Sequence, residues 1–211
     1  MRKIFLPTLL FLFILPQINL AQSKYGISIG GGYIFNSETQ GASLLQYWGH
    51  AYSANILICY KIADGTSLYL SSSYQKYYFD ESSIGASAVP QVIGYRTYIS
   101  AQSSYVTEIS AGVKFYTVHS NAFIKPFFAA GIGALFARQG KVDVISAMEN
   151  GSSESITSYA WEINDWSTQL NLGMGMEIKL ISNFKLILEG KIVISHRLTY
   201  FPLTSSIKFD F

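Results

Sequence analysis

Several stretches of the chain alternate between apolar and polar or small residues, a period of two that is typical of β-strands. The longest stretch runs from Trp166 to Leu180. Its even-numbered positions are apolar except Thr168, whereas its odd-numbered positions include Gln169 and Glu177. An amphipathic helix does not give strict alternation, because its faces repeat every 3.6 residues. This stretch therefore predicts a strand with one apolar and one polar face.

Seven further stretches predict strands, which makes eight in all. They are Tyr25 to Phe35, Ala54 to Ile62, Thr66 to Phe79, Tyr105 to Phe115, Phe123 to Ala137, Phe184 to Arg197, and a final strand that ends in Ile207 to Phe211. The stretch from Phe123 is nearly continuously apolar, but its two internal glycines favour a strand over a helix. A tilted strand needs about 9 to 11 residues to cross a bilayer. The length of each predicted strand is close to this value or exceeds it.

The connections between these strands alternate between short and long. The short ones are Asp64-Gly65, His119 to Asn121 and Ser182-Asn183, and the long ones are Asn36 to Ala51, Asp80 to Ala101 and Gln139 to Tyr159. Asp-Gly is a strong hairpin signal. Short turns at one end and long loops at the other are the organisation of an outer-membrane barrel. A fourth connection, near Leu198 to Pro202, is short, so we expect an uneven outer rim.

The polarity of the two faces distinguishes between kinds of barrel. A soluble lipocalin-like barrel holds apolar residues inside, whereas here Gly, Ser, Asn, Glu and Lys recur on one face of strand after strand, opposite aliphatic and aromatic residues. In water this pattern would expose a broad apolar belt. The sequence therefore predicts an all-β, eight-stranded antiparallel transmembrane up-and-down β-barrel. A soluble barrel or sandwich and a helical fold are the less favoured alternatives.

Composition supports a membrane protein and argues against a nucleic-acid partner. The 211 residues are 49% hydrophobic and only 13% charged, against about 25% charged in an average soluble domain. The chain carries 15 basic and 13 acidic residues. Because Arg2 and Lys3 belong to a predicted leader, 13 of each sign remain, and a neutral chain is a poor nucleic-acid binder.

The first residues have the pattern of a secretory signal peptide. Arg2 and Lys3 precede an almost wholly apolar stretch from Ile4 to Leu15, and we place cleavage after Ala21. Residues 1–21 are thus the predicted signal peptide, and residues 22–211 a single barrel domain in the outer membrane of a Gram-negative bacterium. A transmembrane anchor is the alternative for the leader, although its apolar stretch is short. The lone cysteine, Cys59, cannot form an intrachain disulfide.

On these features the chain resembles the small eight-stranded outer-membrane barrels of the OmpA, OmpX and opacity-protein type, and especially the short barrels of the Bacteroidetes group. The resemblance implies contact with outer-membrane lipid and lipopolysaccharide. It also implies that the barrel assembly machinery reads the C-terminal residues Ile207, Phe209 and Phe211 as an assembly signal.

Ionisable residues recur on the predicted inner face. The predicted interior charge network consists of Lys61, Glu108, Lys114, Glu177, Lys179, Glu189, Lys191, Lys208 and Asp210, and Lys125 has the same parity. An eight-stranded barrel has an interior just wide enough for side chains. Charges held there must be paired, so a mutually neutralising network is the favoured interpretation over an ion path.

Residues that could form a catalytic or metal site do not occur in the required patterns. Small lipid A deacylase barrels carry His-x-Ser late in the chain, but the matching place here reads His196-Arg197-Leu198 and lacks the nucleophile. His50, His119 and His196 show no metal-site spacing. We therefore predict no catalytic residue, metal or cofactor.

The long connections contain more apolar residues than a solvated coil needs. The candidate partner contacts are Leu45, Tyr47, Trp48, Val92, Ile93, Tyr95 and Tyr98. Either strands project beyond the membrane and pack their loops together, or the loops bind a partner protein through aromatic and aliphatic anchors. We expect a structural or binding module, such as an accessory subunit of an outer-membrane complex. The alternative is an enzyme that modifies lipid A or phospholipid, and the third hypothesis is a narrow transporter.

Overall fold

The computed structural model describes residues 24–36, 45, 47–80, 95–118, 122–148, 154–196 and 198–211. The predicted signal peptide lies outside these residues. The strands are β1 (Tyr25–Asn36), β2 (Trp48–Ala63), β3 (Thr66–Phe79), β4 (Tyr95–Ala101), β5 (Ser104–Tyr116), β6 (Ile124–Gln139), β7 (Val142–Met148), β8 (Glu154–Ala160), β9 (Ile163–Lys179), β10 (Phe184–Ser195) and β11 (Thr199–Asp210). Within the described part of the chain, no helix is long and apolar enough to cross a membrane.

Eight of the strands close into a barrel in the order β1-β11-β10-β9-β6-β5-β3-β2, with antiparallel neighbours throughout. The first and last strands close it, with Ile27 opposite Phe209 and Tyr33 opposite Leu203. Closure leaves no barrel strand with an open edge. The predicted eight-stranded antiparallel barrel is confirmed.

The alternation read from the sequence corresponds to the two sides of the wall. On β9, Met174 is 63% exposed on the outside, whereas Asn171 is 2% exposed on the inside. Small residues make room in the interior. Gly112 and Gly131 pair directly across β5 and β6, and a Cβ on either would collide with the hydroxyl of Tyr69.

The outer surface has an aliphatic belt between two groups of aromatic rings. We call one end the short-turn end, after the turns at 64–65 and 180–183, and the other the long-connection end. Tyr25, Tyr60 and Phe211 are in ring contact at the short-turn end. At the long-connection end the contacting rings are Tyr33, Phe35, His50, Tyr52 and Tyr78. Exposed aliphatic residues between them include Ile29, Ile56, Ile58, Leu70, Ile109, Ile132, Leu172 and Met174.

The height of this belt follows from the length of β1. Phe35 lies ten positions after Tyr25, a distance of about 33 Å along a strand. In a barrel whose strands tilt by roughly 40°, this corresponds to about 25 Å along the barrel axis. An apolar band of about 25 Å flanked by aromatic girdles is the surface of a transmembrane barrel.

Two ladders of the barrel wall continue beyond its rim. The strands β4, β7 and β8 form a separate three-stranded sheet, in the order β4-β7-β8, which we call the outer sheet. Ala101 pairs with Val142 in the register that already pairs Tyr105 with Arg138, so β4 and β7 prolong the β5–β6 ladder. With seven residues in each strand, the outer sheet extends by about 23 Å.

The outer sheet corrects one expectation from the sequence. The segments 80–101 and 139–159 were predicted as loops, but parts of both form paired strands. The first long connection is also shorter than predicted, because β2 begins at Trp48. The strands β4 and β7 have only seven residues each, and they pair with each other from two different connections. A local pattern of that length does not predict such a pairing.

An apolar cluster fills the barrel interior at the long-connection end and reaches the base of the outer sheet. We call it the apolar plug; its buried members are Ile34, Leu45, Trp48, Ala51, Tyr77, Val106, Leu135, Ala137, Val142, Ala160, Val193, Leu198 and Tyr200. Val142 and Ala160 belong to β7 and β8, so the outer sheet is packed onto the barrel through the plug.

Candidate functional site

The interior side chains change character along the barrel axis. On β10 the inward positions run from Lys185 through Ile187 and Lys191 to Val193, that is, from a charged layer through apolar and polar layers to the plug. Neighbouring strands supply matching side chains at each level. The interior is therefore a packed series of layers.

The first layer, at the short-turn end, is a cluster of paired charges. Lys208 Nζ lies 3.2 Å from Glu177 Oε1 and 3.2 Å from Asp210 Oδ1. Lys185 Nζ lies 2.5 Å from Asp210 Oδ2, and the Tyr116 hydroxyl donates a 2.5 Å hydrogen bond to Glu177. Because Glu177 and Lys208 are buried, these contacts replace the water that each charge loses.

A single ion pair lies deeper in the barrel. Lys114 Nζ is 2.8 Å from Glu189 Oε2, and the two side chains are 0% and 9% exposed. The same ammonium group lies 4.1 Å from the centroid of the Phe127 ring, a cation–π contact. Glu189 is the carboxylate that neutralises Lys114 at this level.

Glu108 is the acceptor at the centre of the polar layer. The Tyr200 hydroxyl donates to it at 2.8 Å, and the Gln75 and Asn171 amides each donate at 3.4 Å. Lys191 Nζ lies 3.7 Å from its Oε1. Glu108 is 1% exposed, so this carboxylate is both neutralised and hydrogen-bonded inside the wall.

Two lysines predicted for the interior network lie elsewhere. Lys61 pairs with Asp64 in the adjacent turn at 2.5 Å, and 41% of its side chain is exposed. Lys179 is exposed at the short-turn end of the barrel. Their parity is inward, but parity does not report depth along the strand. Lys185 was missing from the predicted network, although it shares the parity of Glu189 and Lys191.

The predicted partner contacts divide between buried and displayed residues. Tyr47 is partly buried against the apolar plug. Leu45 and Trp48 are 0% and 1% exposed within the plug, so for these two residues the prediction of contact with a partner is wrong. They are apolar because they cover the barrel interior. Tyr98 is 52% exposed.

The remaining predicted contacts are only partly described. Val92 and Ile93 lie outside the described residues. Tyr95 is described through the backbone of β4, where it pairs with Met148.

The outer sheet displays an apolar row, of which the sequence predicted only Tyr98. Tyr98 pairs with Ile145, and Ile145 pairs with Ile156, so the three residues lie side by side across β4, β7 and β8. We call them the outer row. Ile156 is 60% exposed, and nearby in the chain Trp161 is 66% exposed. Only the pairing of the strands reveals the row, because its members come from two separate connections.

A hydrogen-bonded carboxylate fastens two strands of the outer sheet. The Ser158 hydroxyl on β8 donates to Asp143 Oδ1 on β7 at 2.7 Å, and Lys141 Nζ lies 2.8 Å from Oδ2. Hydrogen bonds from Lys141 and Ser158 lower the pKa of Asp143 below its ordinary value. The carboxylate is therefore ionised at neutral pH and accepts both contacts.

The place where a lipid A deacylase would carry its nucleophile holds a packing residue. Leu198 is 3% exposed and belongs to the apolar plug, and its backbone N–H donates to Ser195 Oγ at 2.9 Å. His196 is exposed at the bend before it. Among the described residues, no three His, Cys, Asp or Glu side chains are grouped to hold a metal ion.

Solved structures of small outer-membrane barrels have the same fold. The chain is similar to Ail, the attachment invasion locus protein of Yersinia pestis, with a TM-score of 0.53 and 13% identity over 90% of this chain and 100% of that one. It is also similar to Neisserial surface protein A, with a TM-score of 0.50 and 14% identity over 90% of this chain and 98% of that one. No protein-family model and no curated protein matches the sequence.

The buried pair of Lys114 and Glu189 gives a test of the interior network. Glu189→Gln should lower the free energy of unfolding by about 3 to 5 kcal/mol, because it leaves the Lys114 ammonium buried without a counter-charge. Replacing both residues, Lys114→Met with Glu189→Leu, should restore most of the loss. Urea titrations of the folded barrel in lipid vesicles measure both effects.

The matched control is the exposed pair of Arg138 and Glu162, 2.8 Å apart with side chains 58% and 45% exposed. Glu162→Gln should change the free energy of unfolding by less than about 1 kcal/mol. An equally small effect of Glu189→Gln would contradict the need for charge pairing in the interior.

Proposed function

We propose that the protein is a Gram-negative outer-membrane barrel that acts as a non-catalytic binding scaffold. In this proposal the outer row on the outer sheet is the docking surface for a protein partner at the cell surface. The favoured setting is an accessory subunit of a larger outer-membrane complex. The observation that carries the proposal is the outer row itself, held on strands that continue the barrel wall.

The surface of the barrel supports its insertion in a membrane. The aliphatic belt would be an extensive exposed apolar surface in water, whereas its height and its flanking rings suit the hydrocarbon core of a bilayer. The fold shared with Ail and Neisserial surface protein A agrees with this location. With short turns on the periplasmic side, the outer sheet faces the cell exterior.

The outer sheet has the properties of a preorganised binding surface. Its β4–β7 ladder continues the β5–β6 ladder without a change of register, and the plug packs beneath Val142 and Ala160. A rigid surface loses little conformational entropy on binding. Tyr98 and Ile156 offer aromatic and aliphatic area of the kind that dominates protein interfaces.

The two other hypotheses have less support. The lipid A enzyme requires a nucleophile where the buried Leu198 packs in the plug. The narrow transporter requires a continuous path, but the Lys114–Glu189 pair, the Glu108 layer and the plug occupy successive levels of the interior.

Substitution in the aliphatic belt tests membrane insertion. Met174→Arg should lower the free energy of unfolding in lipid vesicles by about 2 to 4 kcal/mol, because the residue faces outward near the middle of the belt. Thr168→Arg is the control on the same face of β9, nearer the long-connection end, and should cost about 0 to 1 kcal/mol. Equal costs at the two positions, or a barrel that is soluble without detergent, would rule out the membrane assignment.

Site-specific photocrosslinking in intact cells tests the docking surface. A photoreactive amino acid at Ile156, which is 60% exposed, should give one defined protein adduct. The control position is Ile181, an isoleucine in a turn at the opposite end with 61% exposure, which should not give that adduct. Tyr98→Asp should reduce the Ile156 adduct at least about tenfold, as expected for a change of about 1.4 kcal/mol or more. Adducts that are absent at Ile156, or unaffected by Tyr98→Asp, would refute the proposal.

A further inference from the structure

A cavity of about 220 Å³ opens at the short-turn end of the barrel, opposite the outer sheet. Six lysines line it: Lys24, Lys61, Lys125, Lys179, Lys185 and Lys208. Two carboxylates line it, Glu177 and Asp210. We call it the basic cavity, because its positive side chains outnumber its negative ones by four.

The two carboxylates are already neutralised from within the barrel. Lys208 contacts Glu177 at 3.2 Å, and Lys185 contacts Asp210 at 2.5 Å. The hydroxyl of Tyr116 is also committed to Glu177. The acidic groups of the cavity are therefore held by its two deepest lysines and by Tyr116.

The lysines nearer the mouth of the cavity are not paired with its two carboxylates. Lys61 has a carboxylate neighbour, Asp64, in the turn beside it. For Lys24, Lys125 and Lys179, no carboxylate of the described residues lies within ion-pair distance. Three ammonium groups thus surround one opening without a counter-charge from the described chain.

The cavity has a closed inner end. Cys59 lines it and also belongs to a buried apolar cluster with Tyr69, Phe127, Ala129 and Ile187. Beyond this cluster lies the polar layer around Glu108. An anion that enters from the mouth meets an apolar floor, so the geometry is that of a binding pocket with one entrance.

We propose that the basic cavity binds a compact phosphate-class anion, such as a pyrophosphate or phosphomonoester group, from the periplasmic side. Lysine ammonium groups bind phosphate as point charges, and a concave wall of one sign of charge concentrates counter-ions. A phosphate group carries about 1.5 to 2 negative charges at pH 7, which suits the three unpaired ammonium groups better than one carboxylate does. The group could belong to a small molecule or to a phospholipid headgroup; both present the same oxygens.

Titration of inorganic pyrophosphate into the full barrel in phosphatidylcholine nanodiscs tests this site. The wild type should bind with a Kd below about 1 mM at low salt. The triple variant Lys24→Gln, Lys125→Gln and Lys179→Gln should bind at least about tenfold more weakly, because it removes the unpaired ammonium groups. It keeps the inner pairs of Lys185 and Lys208, and heat-modifiable migration on gels checks that it folds.

The matched control removes three positive charges from the other end, through Lys76→Gln, Arg138→Gln and Lys141→Gln. It has the same net charge as the cavity variant, so it should bind pyrophosphate within about twofold of the wild type. Absence of wild-type binding up to about 10 mM, or equal weakening in both variants, would overturn the proposal.

A second arm distinguishes the source of the phosphate. In nanodiscs that contain phosphatidylglycerol, pyrophosphate should bind more weakly than in phosphatidylcholine alone if a lipid headgroup occupies the cavity. Unchanged affinity assigns the site to a small soluble anion. Both results support the site, and neither depends on the partner proposed for the outer sheet.

Discussion

Closing eight strands into a barrel leaves an interior that is only as wide as the side chains that fill it, and the rest of this structure depends on that constraint. Most inward positions hold a glycine, another small residue, an apolar residue that packs against its neighbours, or a charged group that a neighbour pairs. Gly112 and Gly131 lie beneath Tyr69 for this reason. Glu108, Lys114 and Glu177, each at most 2% exposed, are stable there because each has a partner of opposite charge.

The same constraint is the reason that we propose binding sites at the two ends. Because side chains fill the middle of the interior, our proposals concern the outer sheet and the mouth at the short-turn end. They differ in chemistry. The outer row is apolar and stands on strands that continue the wall, whereas the basic cavity is concave and carries unpaired lysines. In these proposals the barrel binds different partners on the two sides of the membrane.

The barrel could be predicted from sequence because the alternation of faces is local. In β9 every second residue reports the side of the wall, and the turn at Asp64-Gly65 marks a reversal. The depth of a residue along its strand and the pairing of distant segments are not encoded by such local patterns. Lys61 and Lys179 have the parity of the interior but lie at its mouth. The outer row forms because Ile145 and Ile156, from one connection, pair alongside Tyr98 from another. No local pattern encodes that pairing. The prediction that Leu45 and Trp48 contact a partner failed because an apolar residue in a connection looks the same in the sequence in two cases. It can cover the barrel interior, or it can face a partner protein.

Side chains of the barrel itself close its interior, and we propose that binding takes place only at the ends. Electrical recording of the purified barrel in a planar lipid bilayer tests it most directly. The folded protein should show no stepwise conductance, since the Lys114–Glu189 pair and the apolar plug block successive levels of the lumen. Reproducible conductance steps whose ion selectivity changes with Lys114→Gln would show a path through the centre and would contradict it.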